Sequence, residues 1–283
     1  MKDQYIMHIL WINNDDDLIT VLGQNLYNLF KTNFELELCT IKEIINDPSK
    51  YKFIFTGAYC EYDYIEVLAV IDQLKILRSG LNIYDAILLN NKRLMQLYLE
   101  IENMKYGPKE NEYPRIIKRS NSCGSSDQYI VYNKEVEDTI IAQMNGFDII
   151  IEPFIVAKEY SINFIDKIPT TIYNYNLRND EVFDIEKKNS RENYISISNV
   201  EDFMYVDAIK KITMFLNKFN ITDITRIDFK IININETDPN EYNIYVMDIN
   251  NVACCNFELL TENEKQLYIL YLKKVMSNKI NDN

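Results

Sequence analysis

Short apolar or alternating runs along the chain are interleaved with stretches whose apolar residues recur every three to four positions. Residues 6–12, broken only by His8, read as a buried strand. Asn13, Asn14, Asp15, Asp16 and Asp17 supply turn and capping chemistry, and Leu18, Val21, Leu22, Leu26, Leu29 and Phe30 then fall at helical spacing. Residues 34–39 and 53–56 read as further strands, and residues 65–77 carry helical periodicity. Strands alternating with helices predict βαβ units and a parallel sheet.

The second part of the chain has a different rhythm. Residues 86–102 read as one helix, entered through Asn82, Ile83, Tyr84 and Asp85 and broken by Tyr106, Gly107 and Pro108. Strands are predicted at 113–118 and 129–132, separated by a polar loop, and a helix at 135–144 stops at Gly146. Residues 149–154 are almost wholly apolar, as in a buried strand. Strands at 159–165 and 168–175 follow, then an amphipathic helix at 203–219. Residues 226–235 and 242–250 read as a hairpin with a polar connection, and 267–275 as a closing helix. There is no internal repeat and no low-complexity linker. Three tightly packed α/β units are expected, at 1–77, 78–153 and 154–283.

Composition narrows the function. Of the 283 residues, 47% are hydrophobic and 26% charged, a globular balance. The single histidine, His8, leaves almost no material for a His-based metal site or a Ser-His-Asp triad. No two of the six glycines form G-x-G, so neither a dinucleotide fingerprint nor a phosphate loop with its G-K-[ST] ending is present. A net charge of −13 argues against a nucleic-acid partner, while leaving room for a local basic pocket. Five irregularly spaced cysteines do not make a disulfide framework, and reduced thiols in a cytoplasmic protein are expected. No stretch approaches 18 apolar residues, and no signal peptide or membrane partner is expected.

Four constellations carry candidate chemistry. Lys118 ends a strand and precedes Ser120, Ser122, Gly124, Ser125 and Ser126; an ammonium followed by N–H and O–H donors can hold phosphates, although an ordinary polar loop looks the same. Glu152 closes an apolar strand and Glu159 follows seven residues on; one carboxylate could accept from an adenine amino group and the other from ribose hydroxyls, or both could be solvated strand ends. Arg226 and Asp228 share a strand face, as do Asp248 and Asn250. If those strands pair, hard oxygen ligands suited to Mg²⁺ and phosphate converge beside a guanidinium. The fourth is the polar stretch Asp184, Ile185, Glu186, Lys187, Lys188 and Asn189, which could equally be a solvated loop.

Taken in order, these motifs resemble the ATP-grasp fold, and within it the D-alanine–D-alanine ligases, from about residue 53 to the C-terminus. The resemblance implies three small α/β domains with the nucleotide between the central and C-terminal ones. It implies that Lys92, Lys118 and Lys188 contact phosphates and that Gly124, Ser125 and Ser126 cover them. It places Glu152, Pro153 and Ile155 at the adenine hinge and Glu159 on the ribose. It makes Arg226 the stabiliser of a tetrahedral intermediate, groups it with Lys188 and Ser125 as the catalytic set, and makes Asp228, Asp248 and Asn250 ligands of two Mg²⁺ ions, for which Mn²⁺ can substitute. The implied activity is ATP-dependent ligation of a small carboxylate to an amine, in a family where homodimers are common. Tyr59, Cys60, Glu61, Tyr62 and Asp63 look like a worn substrate segment. Departures concentrate in the substrate half. Asp248 stands where the family usually has Glu, and Asn251, Val252, Ala253, Cys254 and Cys255 replace its Pro-Gly. The alternative is a catalytically degenerate ATP-binding paralogue.

Overall fold

A computed structural model describes residues 6–11, 22, 24–58, 64–109, 112–120, 128–175, 194–197, 200–219, 221, 223–233, 241–250 and 260–278. The expected loop at Gly124, Ser125 and Ser126, the segment bearing Lys188, residues 59–63 and residues 251–255 lie outside the described residues.

The first sheet is parallel, as the alternation predicted. Strands β1 (Ile6–Leu10), β2 (Glu35–Cys39), β3 (Phe53–Phe55) and β4 (Leu77–Arg78) pair in the order β2-β1-β3-β4. Period-two alternation gives the sheet two apolar faces. Met7, Ile9, Phe53 and Phe55 pack with Leu26 and Phe30 of α1 (Gln24–Asn33) and with Tyr268 and Leu272 of the last helix, α8 (Glu262–Asn278). Leu10 and Ile54 pack on the other side with Val67, Leu68 and Ile71 of α3 (Tyr64–Gln73). A short helix that the periodicity did not predict, α2 (Ile41–Asn46), starts with a capping box in which the Thr40 side chain accepts from the Glu43 N–H and Glu43 answers.

The single helix expected at 86–102 is two helices, α4 (Ile83–Asn90) and α5 (Lys92–Ile101). The break is Asn91, which is extended at φ −102° and ψ 96°, and whose side chain accepts from the N–H groups of Arg93 and Leu94 at 3.1 Å each. An Asn side chain offers the backbone a local alternative to the helical ladder. The effect here is to make Lys92 the first residue of a new helix.

The second sheet, β6-β5-β7, is antiparallel and built from β5 (Arg115–Arg119), β6 (Gln128–Val131) and β7 (Ile149–Pro153). Its inner face buries Ile117 and Val131 against Met144, Ile140 and Ile141 at the end of α6 (Lys134–Gln143). Lys118 and Glu152 lie on its other face.

The third sheet has the order β10-β9-β8-β11-β12, all antiparallel: β8 (Glu159–Ile165), β9 (Ile168–Tyr175), β10 (Tyr194–Ile197), β11 (Ile224–Asn233) and β12 (Tyr242–Asn250). One face carries Ile162, Phe164, Ile227, Phe229, Ile244, Val246 and Ile249 into a core shared with Ile212, Phe215 and Leu216 of α7 (Val206–Lys218). The other face carries the charged residues.

That division depends on an irregularity. Asp228 pairs with Asp248 but Phe229 pairs with Val246, so Met247 is surplus on β12. Ile244 and Val246 point into the core, and simple alternation would send Asp248 there too. The bulge shifts the phase by one residue, so Asp248 and Asn250 join Arg226 and Asp228 on the polar face while Ile249 fills the core.

The first and third sheets meet at Asp223. Asp223, at φ +68°, is buried and accepts hydrogen bonds from the Gly80 N–H and the Ile224 N–H, and its backbone carbonyl accepts from Asp166. Burial raises its pKa, opposed by these donors, by the Tyr268 hydroxyl and by Arg78.

Candidate functional site

Lys92 and Lys118 come together because two chain ends are stitched. The Lys92 N–H donates to the Ser120 carbonyl at 3.3 Å, and Ser120 is itself fixed to the Asp148 carbonyl at 2.8 Å. The N-terminus of α5 is thereby set beside the end of β5. The first N–H groups of α5 are already bonded to the Ser120 carbonyl and the Asn91 side chain, so what this junction offers an anion is its ammonium groups.

Glu152 lies on β7, on the second sheet's polar face, with 2% of its surface exposed. Its two oxygens are held by different lysines: Oε2 by Lys118 Nζ at 2.8 Å and Oε1 by Lys105 Nζ at 2.5 Å. Lys105 also donates to the Met247 carbonyl at 3.3 Å and lies 5.6 Å from the Tyr245 ring. Burial opposes the charge of all three groups. For Glu152 the two lysines outweigh it and hold the carboxyl below its ordinary value. For Lys118, Glu152, Asp248 and Glu159 outweigh it and raise the pKa. For Lys105 burial prevails over Glu152, helped by the neighbouring Lys118, and the pKa is lowered.

On the third sheet, neighbouring strands line up two rows of polar residues. Ser161, Asp228 and Asp248 are cross-strand neighbours, as are Asn163, Arg226 and Asn250. Arg226 grips Asp228 with two bonds, Nε to Oδ1 at 2.8 Å and Nη2 to Oδ2 at 2.9 Å. Asn250 Nδ2 donates to Oδ2 at 2.9 Å and the Ser161 hydroxyl donates to Oδ1. Asp248 is flanked instead by charge: burial raises its pKa, but Lys92, Lys118, Lys105 and Arg226 more than offset this and hold it low. Residues separated by up to 156 positions in the chain thus face one carboxylate.

Lys230 lies one step further along the same face. Its buried ammonium donates to the Ile155 carbonyl at 2.7 Å, which pins the segment after β7. Burial lowers its pKa against the pull of Glu159, its cross-strand neighbour.

The structure therefore gathers Lys92, Lys118, Glu152, Arg226, Asp228, Asp248 and Asn250, and sets Pro153, Ile155 and Glu159 at one end. Ser125, Ser126 and Lys188 lie outside the described residues. Lys105 and Lys230 join the gathered set without belonging to any of the four sequence constellations. The alternation that puts Arg226 and Asp228 on one face puts Lys230 there as well, so that signal was present. Lys105 falls in an irregular stretch with no periodicity to mark it.

Mg²⁺ can be judged against these oxygens. Two cross-strand carboxylates and an amide are suitable donors. Among the described residues, however, no group of three or more His, Cys, Asp and Glu side chains is gathered for a metal. The set fits a divalent ion only if a ligand's own oxygens complete it and the Arg226 fork turns away from Asp228.

No protein-family model matches the sequence, and no curated protein matches it in sequence. Solved structures do match. The D-alanine–D-alanine ligase from Bacillus anthracis superposes with a TM-score of 0.70 at 15% identity, covering 99% of this chain and 100% of that one. The same enzyme complexed with ATP gives 0.69 at 16% identity, covering 99% and 98%. A D-cycloserine synthetase gives 0.67 at 13% identity, covering 96% and 100%. An L-amino acid ligase from Bacillus licheniformis gives 0.66 at 13% identity, covering 98% and 75%. The chain has the ATP-grasp fold. Within that fold its structure resembles those of the D-alanine–D-alanine ligases. No described helix is long and apolar enough to cross a membrane.

Proposed function

We propose that the chain is an ATP-dependent carboxylate–amine ligase of the D-alanine–D-alanine ligase kind with altered substrates. It would join an amino acid or other small carboxylate to an amine and release ADP and phosphate. The observation that carries this reading is geometric: Lys92 is stitched through Ser120 to the end of β5 beside Lys118, and Arg226, Asp228, Asp248 and Asn250 share one face of the third sheet, in a chain whose net charge is −13. Cations and half-buried acids gathered on one face in so acidic a protein suit a polyphosphate with its counter-ion. The similarity to a ligase complexed with ATP supports the same reading.

In this reading the nucleotide lies between the second and third sheets. Lys92, Lys118 and Lys188 hold phosphate oxygens, with Ser125 and Ser126 donating beside them. Pro153 and Ile155 bound the base, Glu152 sits beneath it, and Glu159 accepts from the ribose. Asp228, Asp248 and Asn250 would hold Mg²⁺, which when bound neutralises charge on the transferring phosphoryl group. A substrate carboxylate oxygen attacks the γ-phosphorus, the bond to ADP breaks, and an acyl phosphate forms. An amine then attacks the acyl carbon, loses a proton and expels phosphate. Arg226, released from Asp228, would stabilise the oxyanion of that second step. The substrates would be small molecules, and the units 1–77, 78–153 and 154–283 would be the domains that close on them.

A second reading is a degenerate paralogue that binds ATP without ligating. It is favoured by the four donor bonds on Asp228, which leave its oxygens occupied by protein groups.

The test is ADP release from Mg-ATP across pooled D- and L-amino acids and other small carboxylates and amines, with products identified by mass. The ligase reading expects release that depends on one pool, abolished by Asp228→Ala and by Asn250→Ala in folded protein. Tight ATP binding with no release in any pool would replace it with the second reading.

A further inference from the structure

A buried carboxylate needs one counter-charge, and Glu152 has two. Lys105 and Lys118, each 5% exposed, take separate oxygens of the same group. The two lysines are not equivalent. Lys105 follows Met104, whose carbonyl accepts the Val246 N–H at 2.8 Å, and its own Nζ is bonded to the Met247 carbonyl. It is fastened to β12 at the bulge. Lys118 is next to last in β5, two residues from the Ser120 carbonyl that receives Lys92, and it faces Asp248 and Glu159 as well as Glu152. Of the pair, Lys118 is the one directed at the phosphate region.

With Lys118 as sole partner, any move of its ammonium to a phosphate would strand a buried carboxylate, and that penalty would be subtracted from affinity. Resting on the reading of this cleft as a nucleotide site, we propose that Lys105 is a positioning residue. It is a resident counter-ion for Glu152 that allows Lys118 to leave the carboxylate for a phosphate oxygen. Lys105 itself does not touch the nucleotide. It keeps Glu152 neutralised in both states, so Lys118 exchanges one anion for another.

The test is calorimetric binding of Mg²⁺ and a non-hydrolysable ATP analogue to the full chain and its variants. Lys105→Met should weaken binding by about 30-fold or more, because the departing Lys118 now strands Glu152. Lys105→Arg, which keeps the charge, should stay within about threefold of the wild type. Adding Glu152→Gln to Lys105→Met removes the stranded charge and should recover at least about tenfold of the loss. Should Lys105→Met not fold, Lys105→Gln carries the same comparison. Unchanged affinity with a lowered melting temperature would mean a structural role alone, and would overturn the proposal. A double variant no better than the single would mean direct contact with the ligand, and would overturn it too. A wild-type chain that binds no analogue would remove the nucleotide reading and the proposal together.

Discussion

Removing the Glu152 carboxylate should damage the unliganded protein severely. The carboxylate separates two buried ammonium groups at 2.5 and 2.8 Å. Those distances put the two nitrogens no more than about 7.5 Å apart, a repulsion of about 2 kcal/mol at an effective dielectric of about 20. Removing one partner of a buried ionic group usually costs about 3–5 kcal/mol, and here the removed partner serves two charges. The nearby Asp248 carboxylate offsets part of this, so about 3 kcal/mol is expected for Glu152→Gln. Lys118→Met should cost much less, because Lys105 still neutralises the carboxylate. Urea unfolding at neutral pH, read by circular dichroism with matched m-values, measures both. For a chain of this size, 3 kcal/mol is a fall of about 5 °C in melting temperature. The reasoning is refuted if Glu152→Gln lies within about 1 kcal/mol of wild type, or if Lys118→Met costs as much. Adding pyrophosphate should rescue melting of Glu152→Gln more than that of the wild type, since two uncompensated cations then find an anion.

The same group sets an acid limit. Its folded pKa lies below the ordinary 4.5, so its contribution is present above that value and is lost as pH falls through the folded value. Wild-type stability should therefore fall more steeply than that of Glu152→Gln as the pH drops below about 4.5, and parallel slopes would refute this. Arg226→Ala should leave ATP affinity within a few-fold while ligation stops; a large loss of ATP binding would show that the guanidinium holds nucleotide instead. Gly80 has φ +87°, and a Cβ there would stand 3.1 Å from Thr56 Oγ1. Gly80→Ala should cost about 1–3 kcal/mol in thermal unfolding, and an unchanged melting temperature would refute the strain.

The elements that carry the candidate site were legible where burial imposes a period. The two-residue period of a strand puts Arg226 with Asp228, and Asp248 with Asn250, on common faces from sequence alone. What was not legible has local causes. Asn91 sits among Leu88, Leu89 and Leu94, and the apolar spacing runs through it, so one helix was read where a side-chain cap makes two. Lys105 is buried by a contact with a strand more than 140 residues away, which no local pattern reports. Glu152 offered a free carboxylate on paper, yet both its oxygens are already taken. Nothing in the alternation of residues 242–250 marks Met247 as surplus.

That surplus residue has a consequence for how the chain can change. The acids of the third sheet meet because β12 contains one residue more than its partner. The placement of Asp248 is thus encoded in a count, not in the identity of the residue that provides it. Many side chains could replace Met247 and leave Asp248 and Asn250 where they are, because what is used there is its length of backbone and its carbonyl. Losing the residue altogether would turn both toward the greasy layer under the sheet and bring Ile249 out among the charges. Single-letter drift is tolerated at this point and a frame-preserving deletion is not.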